Sequence, residues 1–374
     1  MADEETSTSD VVVDEEDLDG ADSQEEPLSI APGDRKLVTQ PYDLGVRSIK
    51  DDIAEGRISL TIEYQRRYVW DNGKASRLIE SLLLNVPIPV CYFAEDDDGV
   101  YEVIDGLQRL TAIERFLTGK FALTGLSVLP ELIGKKIDNL SPRDRRRLEG
   151  RAIRCIVITA DSHPDIKFDV FERLNTGAVR LTAQELRNSV YRGPFNEGLK
   201  RLAKEEYFTS LAGTQGNKRM SNEELALRFF ALTDGVGDYK PPLRQFLNTY
   251  MRANRKISID AVKERRFRDC CEAVHAVFGP RAFGVPGATN PVNKALYDAV
   301  MVAVAFCDRD KLYELHDEAQ AALATLLNEE RFQTAIGRAT ADRSRMNYRI
   351  GALARELEKV GVASSLPRPL IEEE

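Results

Sequence analysis

Apolar residues recur along this chain with two different periods. At Leu107, Leu110, Ile113, Phe116 and Leu117 the spacing is that of one buried helical face, and it stops near Thr118-Gly119. The run Arg77-Leu78-Ile79-Glu80-Ser81-Leu82-Leu83-Leu84-Asn85 predicts a helix over 72–85 that starts at Asp71, and another helix is expected near 46–56. Short apolar runs rich in β-branched residues predict strands over 89–94, 100–104 and 152–159. The first two are joined by Asp96-Asp97-Asp98-Gly99, a strong hairpin signal. Ser141-Pro142-Arg143-Asp144 opens a short helix, with proline at its first position and an acid in its first turn.

From residue 163 onward the period is helical almost throughout. Capping-box spacing appears at Thr182 with Glu185 and at Ser221 with Glu224, and long amphipathic stretches cover 258–278 and 291–335. The pattern therefore predicts an α+β fold, a small-sheet N-terminal domain followed by an α-helical domain. The expected divisions are an acidic disordered tail over 1–36, the α+β domain over 37–192, the helical domain over 193–360 and a disordered tail over 361–374. The main boundary falls near Arg192-Gly193-Pro194-Phe195.

Composition narrows the class. A chain of 374 residues with 43% hydrophobic content holds two or three packed units. No apolar run reaches the ~18 to 20 residues that span a bilayer, and the N-terminus is acidic where a secretory signal is basic and then apolar. A cytoplasmic location without membrane contact is expected. Cys91, Cys155, Cys270, Cys271 and Cys307 show no CxxC spacing, so neither a disulfide framework nor a zinc site is signalled, and buried thiols are expected.

The formal charge of −9 is unevenly spread. Residues 1–34 carry thirteen acids and no lysine or arginine, and the remaining 48 acids face 52 basic residues. An acidic segment of low hydrophobicity stays disordered, and it either solubilises the chain or competes with nucleic acid for the mildly basic body. Arg143, Arg145, Arg146, Arg147, Arg151 and Arg154 form one basic group, and Lys263, Arg265, Arg266 and Arg268 another. Dense arginine on a helix suits a phosphate backbone, although such runs are more often solvated faces.

The most informative chemistry is at Val103-Ile104-Asp105-Gly106-Leu107-Gln108-Arg109, a buried strand that breaks at Asp-Gly and re-enters a helix. The first helical turn offers backbone N–H groups and the positive dipole end, beside a carboxylate, an amide and a guanidinium. Arg109 can clamp a phosphate bidentately, and Asp105 can hold hydrated Mg²⁺ or steer a water. The plainer reading makes Asp105 a helix cap and Arg109 a surface charge. A second cluster, Glu63-Tyr64-Gln65-Arg66-Arg67-Tyr68-Val69-Trp70, sets arginines and a glutamine among aromatics, as a base or sugar-phosphate requires. A third, Phe171-Glu172-Arg173-Leu174-Asn175-Thr176-Gly177, ends a helix at an Asn-Thr-Gly turn.

Taken in order, a QR-x-x-VW block, an LIES-LL helix, the Pro87-Ile88-Pro89 step, a DGxQR turn and an RLNTG corner resemble the N-terminal domain of GmrSD-type restriction endonucleases, in the ParB/sulfiredoxin-like superfamily. The resemblance covers about residues 37–192. Two positions depart from the family pattern: Ile62 stands where proline is frequent, and Leu107 where glutamine is common.

The resemblance implies nucleotide binding and hydrolysis in a DNA-targeting defence system, and the Asp105 carboxylate adds Mg²⁺ as the expected cofactor. It implies catalytic roles for Asp105, Gln108 and Arg109, with Asp105 also the metal ligand. Phosphate-side roles fall to Gly106, Gln65, Arg66 and Asn175; apart from the resemblance, the density of arginine on the short helix makes Arg143, Arg145, Arg146 and Arg147 the expected nucleic-acid contacts. No Walker-type phosphate loop is present. His163, His275 and His316 are scattered and give no HNH signature, so the implied partners are DNA and a separately encoded nuclease subunit; self-association is left open. Two alternatives remain: a metal-dependent DNA nuclease using Asp105, Glu102 and Glu63, and a non-catalytic DNA-binding or adaptor module.

Overall fold

A computed structural model of the chain describes residue 30 and residues 32–60, 68–174, 181–213, 220–288, 290–367 and 370. The fold is α+β, with a small mixed sheet followed by helices. It divides into two compact units, one over Ser29–Tyr191 and one from Arg192 onward.

The first unit is built on five strands: β1 (Thr39–Gly45), β2 (Ile58–Ser59), β3 (Cys91–Glu95), β4 (Tyr101–Asp105) and β5 (Ala152–Ile158). Their order across the sheet is β1-β5-β3-β4-β2. β1 and β5 pair antiparallel, as do β3 and β4, while β5 with β3 and β4 with β2 are parallel. The expected β3–β4 hairpin is present. The Asp96 carboxylate accepts from the backbone N–H of Asp98 at 2.9 Å and of Val100 at 2.8 Å.

Helices α1 (Val46–Ala54), α2 (Asn72–Leu84), α3 (Leu107–Leu117) and α4 (Pro142–Glu149) enclose the main core with Cys91, Phe93, Val103, Cys155 and Val157. Side chains alternate along a strand, so Glu102 and Ile104 occupy the opposite set of positions on β4. That side meets α5 (Pro164–Leu174) and α6 (Ala183–Val190). Strands β1 and β2 were not legible in the sequence. β1 contains Pro41 and is exposed over most of its length, so it lacks apolar alternation, and β2 has only two residues.

The second unit comprises α7 (Pro194–Leu202), α8 (Glu206–Leu211), α9 (Ser221–Gly235), α10 (Leu243–Asn254), α11 (Ala261–Phe278), α12 (Lys294–Phe306), α13 (Arg309–Glu314), α14 (His316–Leu327), α15 (Glu330–Gly337) and α16 (Arg343–Lys359). α12 is central, buried from Ala295 through Ala305. Phe267 on α11 is ringed by Phe208, Phe229 and Phe230 at 5.1 to 5.7 Å between centroids.

The expected 291–335 stretch is not continuous: it breaks into α12 to α15, with Asp308 capping α13 through Lys311 N–H at 3.2 Å. The expected Ser221 capping box is also absent. Met220 occupies the cap position, and Glu224 is buried against Arg228 at 3.4 Å and Lys294 at 3.2 Å. The buried charges outcompete a surface cap because an unpaired buried carboxylate costs far more than a missing cap. Arg228 and Arg349 share Asp298 at 2.7 and 2.8 Å.

Two segments read as tails are partly folded. Val362, Leu366 and Leu370 are buried, and Ser365 N–H donates to the Phe306 carbonyl at 2.7 Å. Ile30 is buried too, and its carbonyl accepts from Arg35 at 3.1 Å. Four of the five cysteines are buried and all are free thiols. No helix among the described residues is long and apolar enough to cross a membrane.

Candidate functional site

β4 ends at Asp105 and the chain swings through Gly106, at φ 103°, directly into α3. Only glycine fits there: the backbone is left-handed, and a Cβ would collide with the sulfur of Cys91 on β3. Because Gly106 is the cap residue, no side chain covers the first-turn N–H groups of α3. These groups and the helix dipole together suit an anion.

Asp105 is thus not the cap, and Arg109 is not a surface charge. Arg109 Nη2 donates to Asp105 Oδ2 at 2.8 Å and to the Val90 carbonyl at 3.4 Å, and Nη1 donates to the Pro89 carbonyl. The Arg109 side chain is 12% exposed and that of Asp105 41%. Arg109, expected to clamp a phosphate, is thus already engaged with protein acceptors. Its terminal nitrogens serve the carbonyls of Pro89, the last residue of the Pro-Ile-Pro step, and of the adjoining Val90. What stands open at the turn is the Asp105 carboxylate, steadied by Arg109.

Gln108 joins this turn to the aromatic-basic block, its Oε1 accepting from Val69 N–H at 3.0 Å. The Arg115 guanidinium lies 4.3 Å from the Tyr68 ring centroid, and the Lys74 ammonium 5.0 Å from that of Trp70. Asp71 caps α2, accepting from Lys74 N–H at 2.7 Å. Two motifs 39 residues apart are therefore in contact. Gln65, Arg66 and Glu63 lie outside the described residues, as does Asn175 with the rest of its turn. Leu107, at the position of the family's glutamine, is 5% exposed in the core and faces no ligand.

Beneath the turn, Cys91 and Cys155 are register partners on parallel strands. The hydrogen bond from Cys155 holds the Cys91 thiol below its ordinary value against the effect of burial, with the Arg109 guanidinium assisting, and the same bond raises Cys155.

Three arrangements escaped the sequence reading. The Glu80 carboxylate accepts from the backbone N–H groups of Ser127, Val128 and Leu129 at 3.3, 2.7 and 2.9 Å, pinning that loop to α2. Glu102, 6% exposed, accepts from Ser189 Oγ at 2.6 Å. On α6, Gln184 Nε2 donates to Asn188 Oδ1 at 2.8 Å, and the fully buried Arg187 donates to Gln184 Oε1 at 3.3 Å. The available signal was polar residues at 184, 187 and 188, the i, i+3, i+4 spacing of a buried face. The capping box at the start of α6 is formed, Thr182 N–H donating to Glu185 at 2.7 Å and Glu185 N–H to Thr182 at 3.2 Å.

Among the described residues no group of three His, Cys, Asp or Glu side chains is placed to hold a metal ion. Asp105 alone fits Mg²⁺, which commonly takes one or two carboxylates and fills its shell with water and phosphate oxygens. On α4, Arg143, Arg146 and Arg147 are exposed and make no side-chain hydrogen bond or ion pair among the described residues, whereas Arg145 pairs with Glu149 at 2.9 Å. The three histidines are separate, beside α5, on α11 and on α14.

Residues 49–192 match the family model described as GmrSD restriction endonuclease, N-terminal domain. That segment is similar to GmrSD-type N-terminal domains, as its motifs indicated. No curated protein matches the chain.

Proposed function

We propose that this protein is the nucleotide-binding, nucleotide-hydrolysing component of a DNA-targeting restriction system, with the Asp105-Gly106 turn as its triphosphate site. The observation that carries the reading is the uncapped N-terminus of α3, entered through a glycine that admits no side chain, with a half-exposed carboxylate fixed beside it. Phosphate oxygens take the first-turn N–H groups of α3. Asp105 directs the attacking water and would hold Mg²⁺ through its carboxylate, the ion supplying charge neutralisation when bound. Arg109 is a positioning residue that sets the angle of Asp105. Gln108 holds Val69, at the end of the aromatic-basic block, to the turn. The water oxygen bonds to the terminal phosphorus as its bridging oxygen departs, and such transfer rests mainly on positioning and fixed charge.

The nuclease alternative is less well supported. Glu102 and Asp105 are three residues apart on one strand, so their side chains leave opposite faces, and Glu102 is engaged by Ser189. Contact with DNA is assigned to the unpaired arginines of α4, and strand cleavage to a separately encoded nuclease. Phosphate release from the four nucleoside triphosphates with Mg²⁺, compared with Asp105→Asn, tests the reading. The expected outcome is at least a tenfold loss of turnover with an unchanged melting temperature. No release from any triphosphate by the parent protein overturns it.

A further inference from the structure

The arginine helix α4 is one part of a wider basic face. α1 packs against it, and Val46 N–H at the start of α1 donates to the Arg151 carbonyl, two residues past α4, at 2.8 Å. Arg47 and Lys50, one helical turn apart on α1, are exposed, as are Arg143, Arg146 and Arg147 on α4. None of these five cations makes a side-chain hydrogen bond or ion pair among the described residues. The acids of α4 are engaged within it: Asp144 accepts from Ser141 Oγ at 2.6 Å, and Glu149 pairs with Arg145 at 2.9 Å. The second basic group differs, because its charges are already answered. Lys263 pairs with Asp234 at 2.5 Å, Arg268 pairs with Glu205 at 2.8 Å, and Arg266 donates to the Ala305 carbonyl at 3.1 Å.

The chain carries a segment of matching charge. Residues 1–29 hold twelve acids and no lysine or arginine, and six of those acids fall within 14–22. The segment enters the first unit at Ile30, which is buried, and β1 then leads to Gly45, the register partner of Ala152 just beyond α4. The seven residues of β1 cover roughly 23 Å. The stretch from Asp14 to Ile30 can reach up to ~53 Å, more than twice that distance.

We propose that the acidic run 14–22 docks on the face formed by Arg47, Lys50, Arg143, Arg146 and Arg147, in the place of a phosphate backbone, until DNA displaces it. Tethering makes the contact intramolecular, at an effective concentration on the order of millimolar, so individually weak ion pairs suffice. That DNA is the displacing ligand rests on the reading of α4 as the DNA contact; the docking itself does not.

The test compares the full chain with a full-length variant carrying D14N, E15Q, E16Q, D17N, D19N and D22N. Phenylglyoxal modification without DNA, read residue by residue by mass spectrometry, is expected to be at least threefold faster at Arg143, Arg146 and Arg147 in the variant. The difference should vanish at 1 M salt, where the Debye length is ~3 Å. Arg265 on α11, also exposed, should react equally in both chains. Equal modification of the three α4 arginines at low salt overturns the docking. Filter binding of duplex DNA then tests the displacement: about tenfold tighter binding by the variant at low salt, converging with the parent as salt rises, supports it. Protected arginines with equal DNA affinity in the two chains uphold the docking and overturn the competition, placing the DNA contact away from α4.

Discussion

At Gly106 the chain has room for a hydrogen atom and nothing larger, and this makes the turn a joint between β3, β4 and α3. Gly106→Ala is expected to cost about 1 to 2 kcal/mol for the left-handed backbone and a further ~1 to 3 kcal/mol for the clash with Cys91. Removing that sulfur in Gly106→Ala/Cys91→Ala restores part of the loss, so the two changes are non-additive in chemical denaturation; strict additivity would contradict the contact. Arg109→Ala is expected to lower stability by about 1.5 to 3 kcal/mol, the range for bonds from a charged donor, because its carbonyl partners lose that donor. Circular dichroism melts check this, and a melt identical to the parent's would contradict the positioning role. The sequence made Asp105, Gly106, Gln108 and Arg109 legible as a cluster, since they are adjacent. It did not reveal that Arg109 faces inward, because its acceptors are backbone carbonyls 19 and 20 residues away.

Among elements, the long helices with strong apolar period, α2, α3 and α11, were readable, as was the Asp96–Gly99 hairpin. β1, β2 and the breaks between α12 and α15 were not, since edge pairing and buried caps leave little mark on local pattern. Glu80 exemplifies a hidden tie. Burial alone raises its carboxyl, but three backbone N–H donors outweigh this and hold it below the usual range. Its contribution is therefore complete above the ordinary value of 4.5 and is lost as pH falls through the lowered folded value. Glu80→Gln is expected to cost about 1.5 to 3 kcal/mol at pH 7, with the gap to the parent closing below pH 4.5 in denaturation curves. On α4, reversing Arg143, Arg146 and Arg147 to glutamate is expected to weaken DNA binding at least tenfold at 0.1 M salt and to flatten its salt dependence, while triphosphate binding is untouched. Unchanged DNA affinity in filter binding would move the contact elsewhere.

For the whole molecule, the division near Tyr191 means that the turn, its tethers and its core all lie in one unit. The account's central claim concerns that unit alone, so residues 29–191 expressed by themselves provide its most direct test. Isothermal titration of this folded fragment with Mg²⁺-triphosphate is predicted to give one site per chain. The same fragment carrying Asp105→Asn should retain its fold and bind at least tenfold more weakly in the presence of Mg²⁺. A folded fragment that gives no binding heat and no thermal shift with any of the four triphosphates, or equal Mg²⁺-dependent affinity in parent and Asp105→Asn, would contradict the account.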